Sequence, residues 1–333
     1  MQKILIVQTA FIGDVVLATG LLEKLHATYP SAAIDFLVRK GNESLFIEHP
    51  FLHEVLVWDK KQSKYKQLFR IILLVRKKKY DLLINVQRFA ATGLLTILSN
   101  AKQTVGFNKN PFSFFFNKSI KHIVSNGKTV MHEIERNHLL IKDITDDFAA
   151  RPKLYPTIAD TAFVQQYKQQ PYICIAPASV WFTKQFAVHK WIELINALPG
   201  KRIVYLLGAP SDKALCATIQ NACVDAHIED LSGKLSFLQS AALMKDAFMN
   251  YVNDSAPMHF ASAVNAPVTA IYCSTLPAFG FGPLSDRSFI IEVQEKLDCR
   301  PCGLHGKKAC PRGHFNCANK ITNEQLLKPI ANN

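Results

Sequence analysis

The stretch "KILIVQTAFIGDVVLATG", residues 3–20, decides how the chain is to be read. "ILIV" is an unbroken apolar run, the pattern of a strand buried on both faces of a parallel sheet. The residues that follow Gly13 space their apolar side chains at 15, 16, 18, 21, 22 and 25, a helical period, and Tyr29-Pro30 ends the run. A strand passing through glycine into a helix is where a doubly wound fold keeps its phosphate loop. This loop carries a single glycine, Gly13, followed by a carboxylate, Asp14. It contains no G-x-G-x-x-G, and a negative charge at its tip repels a pyrophosphate. The nucleotide is therefore expected elsewhere in the chain. Two roles stay open for Asp14: a helix cap, or a general base that takes the proton of an attacking hydroxyl.

The same alternation continues along the 333 residues. Segments 33–38, 55–58 and 81–86 read as further strands of a first half, with "MHEIERNHLLIKDI" (131–144) as a helix. In a second half, strands are expected at 172–177, 202–208, 248–252 and 267–273, and helices near 187–198, 211–223, 236–246 and 256–264. Alternating strands and helices imply parallel sheets covered on both faces. The proline-rich "AARPKLYPTIAD" (149–160) is the natural break. The expectation is an α/β chain of two Rossmann-like domains, residues 1–155 and 156–333, with their parallel sheets facing a central cleft. No repeat at solenoid spacing and no low-complexity tract is seen.

Hydrophobic residues make up 49% and charged residues 20%, the balance of a folded globular protein. No apolar run approaches the roughly 18 residues of a membrane span, and the start of the chain does not read as a signal peptide. The expected location is the cytoplasm, with the eight cysteines mostly reduced. The net charge of +13 favours anionic partners: nucleic acid, an acidic membrane surface, or a phosphorylated substrate. Basic residues gather in "KYKQLFR" (64–70), "VRKKKY" (75–80) and "NKNPFSFFFNKSIKH" (108–122). The second of these reads as the cationic last turn of a helix. The phenylalanines at 112 and 114–116 suit a membrane-surface patch or a buried loop anchor equally well.

In open parallel sheets the ligand sits beyond the carboxyl ends of the strands. Four strand ends or loops carry chemistry. Asp14 follows the first strand. After the strand at 172–177 comes a polar loop with Ser179, Thr183 and Lys184, whose ammonium can neutralise a diphosphate leaving group. Asp212 stands near the helix start after 202–208. After 248–252, "NDSAPMH" offers Asp254 for sugar hydroxyls, Ser255 as an N-cap, Pro257 in the first turn, and His259 on the same helix side as Ser255. A capped packing helix with an incidental histidine fits the last stretch as well. "CRPCGLHGKKACPRGHFNC" (299–317) holds Cys299, Cys302, Cys310 and Cys317. C-x2-C in a reducing compartment suggests a structural zinc before disulfides. The second pair lacks ribbon spacing, so buried thiols or an opportunistic bridge stay open.

Taken together, these residues resemble glycosyltransferase family 9, the bacterial heptosyltransferases of lipopolysaccharide core assembly. The likeness is carried by "GDVVLATGLLEKLHATYPSAAIDFLV" (13–38), "KKYDLLINVQ" (78–87), the Lys184 loop, "NDSAPMHFASAVNAPVTAIYCSTLP" (253–277) and the closing cysteine segment, which looks most like that of the type II members. The resemblance implies a GT-B fold, with the acceptor on the N-terminal domain and the sugar nucleotide on the C-terminal one. It implies inverting transfer of heptose or a related sugar from an ADP-sugar to an anionic, lipid-linked inner-core saccharide, with no cofactor and no catalytic metal. Asp14 becomes the base and Lys184 the partner of the diphosphate. Gly13, Ser179, Thr183, Asp212, Asp254, Ser255, Ala256 and His259 form the donor set. Ala256 departs from the glycine common at its position. Arg88, His132 and Arg136 are candidates for the acceptor's anionic groups. The resemblance also implies peripheral contact with the inner membrane and no nucleic acid. Competing readings are a different nucleotide-sugar donor, or a basic nucleic-acid-binding protein whose Cys/His segment is a zinc module.

Overall fold

The computed structural model describes residues 2–60, 63–123, 130–200, 202–223 and 227–331. The chain divides into two compact units, one of Met1–Ser125 with Met131–Tyr155, the other chiefly of Pro156–Asn333.

The first unit runs β1 (Lys3–Val7), α1 (Ile12–Thr28), β2 (Ala33–Arg39), β3 (Glu54–Trp58), α2 (Lys64–Lys78), β4 (Leu82–Asn85), α3 (Ala90–Leu98), β5 (Gln103–Phe107), β6 (Lys118–Ile120) and α4 (Glu133–His138). All its strand pairs are parallel, in the order β3-β2-β1-β4-β5-β6. Alternation along β1 sends Leu5 and Val7 to one face, where they meet Leu37, Leu56 and Trp58 beneath Leu68, Ile71 and Val75 of α2. Ile4 and Ile6 are equally buried on the opposite face. The helix expected over 131–144 covers only Glu133–His138 and resumes as a 3-10 turn at Lys142–Ile144. The His138 ring bonds the Asp146 carbonyl at 2.6 Å and draws the chain out of helical continuation.

The second unit runs α5 (Ile158–Val164), β7 (Tyr172–Ala176), α6 (Val188–Ala197), β8 (Ile203–Leu206), α7 (Lys213–Ala222), β9 (Ile228–Asp230), α8 (Phe237–Lys245), β10 (Met249–Asn253), α9 (Ala256–Ala263), β11 (Val268–Tyr272), β12 (Ser288–Glu292), α10 (Asn316–Asn319) and α11 (Asn323–Ala331). Its sheet is again parallel, in the order β12-β11-β10-β7-β8-β9. Counted from each unit's own first strand, both sheets wind 3-2-1-4-5-6. This order reverses direction between strands 1 and 4, and a crevice opens at that switch point. In the first unit the switch lies between β1 and β4, which end together with Val7 beside Asn85. In the second it lies between β7 and β10, with Ala176 beside Val252. The topology therefore directs attention to the residues leaving these four strands. Among the described residues no helix is long and apolar enough to cross a membrane.

Candidate active site

The exit of β1 is held by polar bonds rather than by packing. Gln8 is buried and accepts from the Gln87 side-chain amide across the switch point. The Lys60 ammonium holds Thr9 at its carbonyl (3.0 Å) and its hydroxyl (2.7 Å), and Asn42 donates to the Ala10 carbonyl at 3.2 Å. The chain then enters α1 with Phe11, not Asp14, in the N-cap position. Asp14 stands inside the first turn, where the helix dipole favours its negative charge. At the exit of β4, the Asn85 side chain accepts from the Gln87 N–H at 2.9 Å, and Asn110 donates to the Gln87 and Phe89 carbonyls. Arg88 emerges from this brace exposed.

A half-buried acid lies within electrostatic reach of Asp14 and Arg88. Glu133 opens α4, and burial pushes its carboxyl up to about 7, with the Asp14 charge adding to the rise. The Arg136 and Arg88 cations oppose that rise without cancelling it. Arg136 is itself 2% exposed and donates to Glu133, to the Ile123 carbonyl and to the Met131 carbonyl. His132 is the N-cap of α4, its ring nitrogen accepting from the Ile134 N–H at 3.3 Å. Burial and the Arg88, Arg136 and Lys109 charges push His122 down to about 4. The folded chain keeps the Glu133 proton up to about pH 7, whereas an unfolded chain loses it near 4.5. Stability contributed by this group is thus fully present below about 4.5 and lost as pH rises through about 7, up to about 3 kcal/mol in all. Glu133→Gln should flatten the melting temperature across that window, as thermal unfolding at stepped pH would reveal; an unchanged slope would remove Glu133 as its source.

In the second unit the exits of β7 and β10 are tied by Asn253, which is fully buried. Its carbonyl oxygen accepts from the Phe186 N–H (2.8 Å) and its amide donates to the Pro177 carbonyl (2.8 Å). This brings Lys184, in the 3-10 turn Phe182–Lys184, onto Asp254. Their ammonium and carboxylate are 2.7 Å apart, with side chains 16% and 8% exposed. The Thr275 hydroxyl also donates to Asp254, at 2.6 Å. Ser255 is the N-cap of α9, yet its hydroxyl makes no cap bond and lies 3.4 Å from the Asn253 carbonyl instead. Pro257 brings no N–H to this helix start, and His259 is buried within α9.

The cysteine-rich segment packs directly on the Lys184 turn. Thr183 exchanges bonds with Lys307: its N–H reaches the Lys307 carbonyl (3.1 Å), and its hydroxyl accepts from the Lys307 N–H (2.7 Å). Ser274 donates to the same hydroxyl at 3.0 Å, and the Cys302 N–H donates to the Ser274 carbonyl at 2.9 Å. Arg300 bonds the Cys273 and Thr275 carbonyls and Glu292. The segment thus braces both members of the Lys184–Asp254 pair, one through Thr183 and the other through Thr275. Gly306 makes the closest approach: at φ +78°, a Cβ there would lie 2.9 Å from Lys184 Cγ and 3.1 Å from Thr183 Oγ1. Gly306→Ala therefore combines left-handed strain of about 1 kcal/mol with displacement of Lys184. It should lower the donor kcat/KM by roughly tenfold, a barrier change of about 1.4 kcal/mol. Wild-type donor kinetics in that variant would separate the segment from the site.

The four cysteines line a cavity of about 420 Å3 beside Thr183. All are free thiols, and Cys299 Sγ is 3.9 Å from His314 Nε2. Burial pushes Cys317 up to about 11, with the neighbouring thiols adding to the rise. Among the described residues, no three metal-capable atoms of this segment lie within 4.8 Å of one another. Closure on a zinc ion, with Zn–S bonds near 2.3 Å, would require the segment to contract. The group that does meet that spacing is Asp35, His53 and Glu54, at the opposite edge of the first sheet. Lys78 and Tyr80 already bond its carboxylates.

The structure thus brings Lys184, Asp254, Ser255 and Ala256 together at one switch point, and Gly13, Asp14 and Arg88 at the other. Asp212 is spent locally, accepting from the Ala209 N–H at 2.8 Å. The Ser179 carbonyl accepts from the Gln185 side chain at 2.6 Å. Thr183 is buried and turned toward Lys307 and Ser274. Glu133, Thr275 and Gly306 were not visible as site residues in the sequence. Only the opening "HEIE" of α4 hinted at the first.

Two doubly wound parallel units, each with polar and charged groups at its switch point, are the architecture of the GT-B fold class. The sequence profile of glycosyltransferase family 9 (heptosyltransferase) matches residues 68–309, and the chain belongs to that family. Lipopolysaccharide heptosyltransferase 3 of Escherichia coli is 27% identical over 280 residues, covering 80% of this chain and 82% of its own length. Among solved structures, the E. coli ADP-heptose lipopolysaccharide heptosyltransferase II shares the fold with a TM-score of 0.80 at 21% identity, covering 99% of this chain and 97% of its own. A family 9 glycosyl transferase from Veillonella parvula gives 0.84 at 20%, covering 98% and 96%. The chain is accordingly a glycosyltransferase, and its cysteine segment is folded against the Lys184 turn.

Proposed function

We propose that the protein transfers heptose, or a closely related sugar, from an ADP-sugar to a lipopolysaccharide inner-core saccharide, inverting the anomeric centre without a catalytic metal. The observation that carries this reading is the Lys184–Asp254 pair at the β7/β10 switch point, beside the start of α9. The ammonium and the N–H groups of that helix start supply positive charge for the departing diphosphate. Asp254 accepts from the sugar hydroxyls. Asp14 takes the proton of the acceptor hydroxyl as its oxygen attacks the anomeric carbon from the face opposite the diphosphate. The carbon–oxygen bond to the diphosphate then breaks, and its electron pair leaves on the β-phosphate of ADP. The names of relatives support the donor and acceptor classes: one is an ADP-heptose enzyme, and several act on lipopolysaccharide.

In this reading the first unit binds the acceptor and the second the sugar nucleotide. Arg88 is exposed to meet the acceptor's anionic groups, His132 stands at the N-cap of α4, and Arg136 acts through Glu133. The enzyme works at the cytoplasmic face of the inner membrane, with Phe114 and Phe115, 91% and 67% exposed, turned toward the lipid end of the acceptor. Ala256 at the helix start favours one second reading, a donor with a different nucleotide sugar. A thermal-shift screen decides between them. ADP-heptose should raise the melting temperature where UDP-, GDP- and CMP-sugars do not; stabilisation by one of the latter would reassign the donor.

A further inference from the structure

Two donors converge on a single oxygen of the Asp254 carboxylate. Oδ2 accepts from the Lys184 ammonium at 2.7 Å and from the Thr275 hydroxyl at 2.6 Å. Among the described residues, Oδ1 accepts no hydrogen bond. Asp254 leaves β10 with its N–H on the Ile271 carbonyl of β11 at 3.2 Å, and Thr275 follows the end of that same β11. The threonine is 1% exposed. Its carbonyl accepts from the Arg300 guanidinium at 2.7 Å, which also bonds the Cys273 carbonyl at 2.6 Å and Glu292. The hydroxyl therefore reaches Asp254 from a backbone pinned on its far side.

The two donors differ in what they can do next. An ammonium on a flexible four-carbon stem can swing to a diphosphate; a hydroxyl on a braced strand exit stays where it is. When Lys184 turns to the donor's phosphates, a largely buried carboxylate loses its cation, which is costly where water does not take the cation's place. We propose that Thr275 is a positioning residue for donor binding: it keeps Asp254 Oδ2 bonded while Lys184 is engaged elsewhere, and it holds the carboxylate with Oδ1 toward the transferred sugar. This rests on the diphosphate-sugar reading of the site. A hydroxyl bonded to a carboxylate makes a charge-assisted bond, yet it does not equal an ammonium. The sugar hydroxyls must supply the rest. Thr275 should accordingly matter most for a nucleotide that brings no sugar, because Asp254 then has Thr275 alone.

Thr275→Val keeps the shape of the side chain and removes the donor, whereas Thr275→Ser keeps the donor. Titration calorimetry with ADP and steady-state kinetics with ADP-heptose compare them. In Thr275→Val the ADP dissociation constant should rise about tenfold and the donor KM about threefold, with kcat within about twofold of wild type. Thr275→Ser should restore each value to within about twofold. In an Asp254→Ala background, Thr275→Val should change ADP binding by less than about twofold, because its acceptor is gone. Equal losses in both backgrounds would overturn the proposal. So would a damaged serine variant beside an unaffected valine variant, which would assign Thr275 to packing. UDP and GDP are titrated alongside. If the unaltered chain prefers one of them, the ADP reading falls, and the same comparison made with that nucleotide decides the role of Thr275. A chain that binds none of the three overturns both.

Discussion

Asp14→Ala should lower kcat by about 10³-fold while the melting temperature and ADP-sugar affinity stay close to those of the unaltered protein. The size follows from the role. A positioned base contributes roughly 10²–10⁴ to a proton transfer. Glu133 retains its proton up to about 7 and is engaged by Arg136. The structural cost should be small. Phe11 holds the N-cap position, so removing the carboxylate does not uncap the helix, and the first-turn dipole interaction lost with it is at most about 1 kcal/mol. Single-turnover kinetics with saturating donor would isolate the chemical step. A variant that turns over within a few-fold of wild type would transfer the base role elsewhere. Removing the Asp14 charge should also bring the Glu133 carboxyl down, since that charge is one cause of its rise.

Lys184→Ala should be damaged twice over. Losing a preorganised cation beside a leaving diphosphate costs about 10²–10³ in rate. Losing the partner of a carboxylate only 8% exposed leaves a buried charge unpaired, a penalty of about 3–5 kcal/mol in fully buried pairs and less here because Lys184 is 16% exposed. The two effects are separable. In Lys184→Ala/Asp254→Asn the uncompensated charge is gone, so the melting temperature should return most of the way while the rate stays low. Thermal unfolding and kcat measured on both variants form the test. If the double variant recovers activity together with stability, Lys184 serves the fold and not the diphosphate.

The central strands were legible because parallel strands buried on both faces are continuous apolar runs: "ILIV" of β1, "LLI" of β4, "YICIA" of β7 and "VTAIY" of β11. Four outer strands were not, although the edge strand β3, "EVLVW", was. "QTVGF", "KSI", "IED" and "SFIIE" are short or interrupted by polar side chains, as strands with one solvated side are. α3, "AATGLLTIL", hides behind a glycine and two threonines that lower its helical signal. Residues that leave central strands could be found, because finding the strand finds its exit: Asp14, Arg88, Lys184 and Asp254 are of this kind. Their direct partners could not. Thr275 reaches Asp254 across 21 positions and Lys307 reaches Thr183 across 124, and such pairings exist only once the sheets have formed. Nor does composition reveal that Lys184 and Asp254, separately attractive for phosphate and for hydroxyls, would satisfy each other.

That mutual satisfaction has a consequence for the resting enzyme. With ammonium and carboxylate 2.7 Å apart, the β7/β10 exit presents a near-neutral dipole to solvent and not a bare cation. A spherical dianion such as sulfate gains little there, because taking the lysine strands the aspartate. A visitor that parts the two without penalty must hand an anion to one and hydrogen-bond donors to the other in the same event. Background phosphates of the cell are thereby poor squatters at this strand exit.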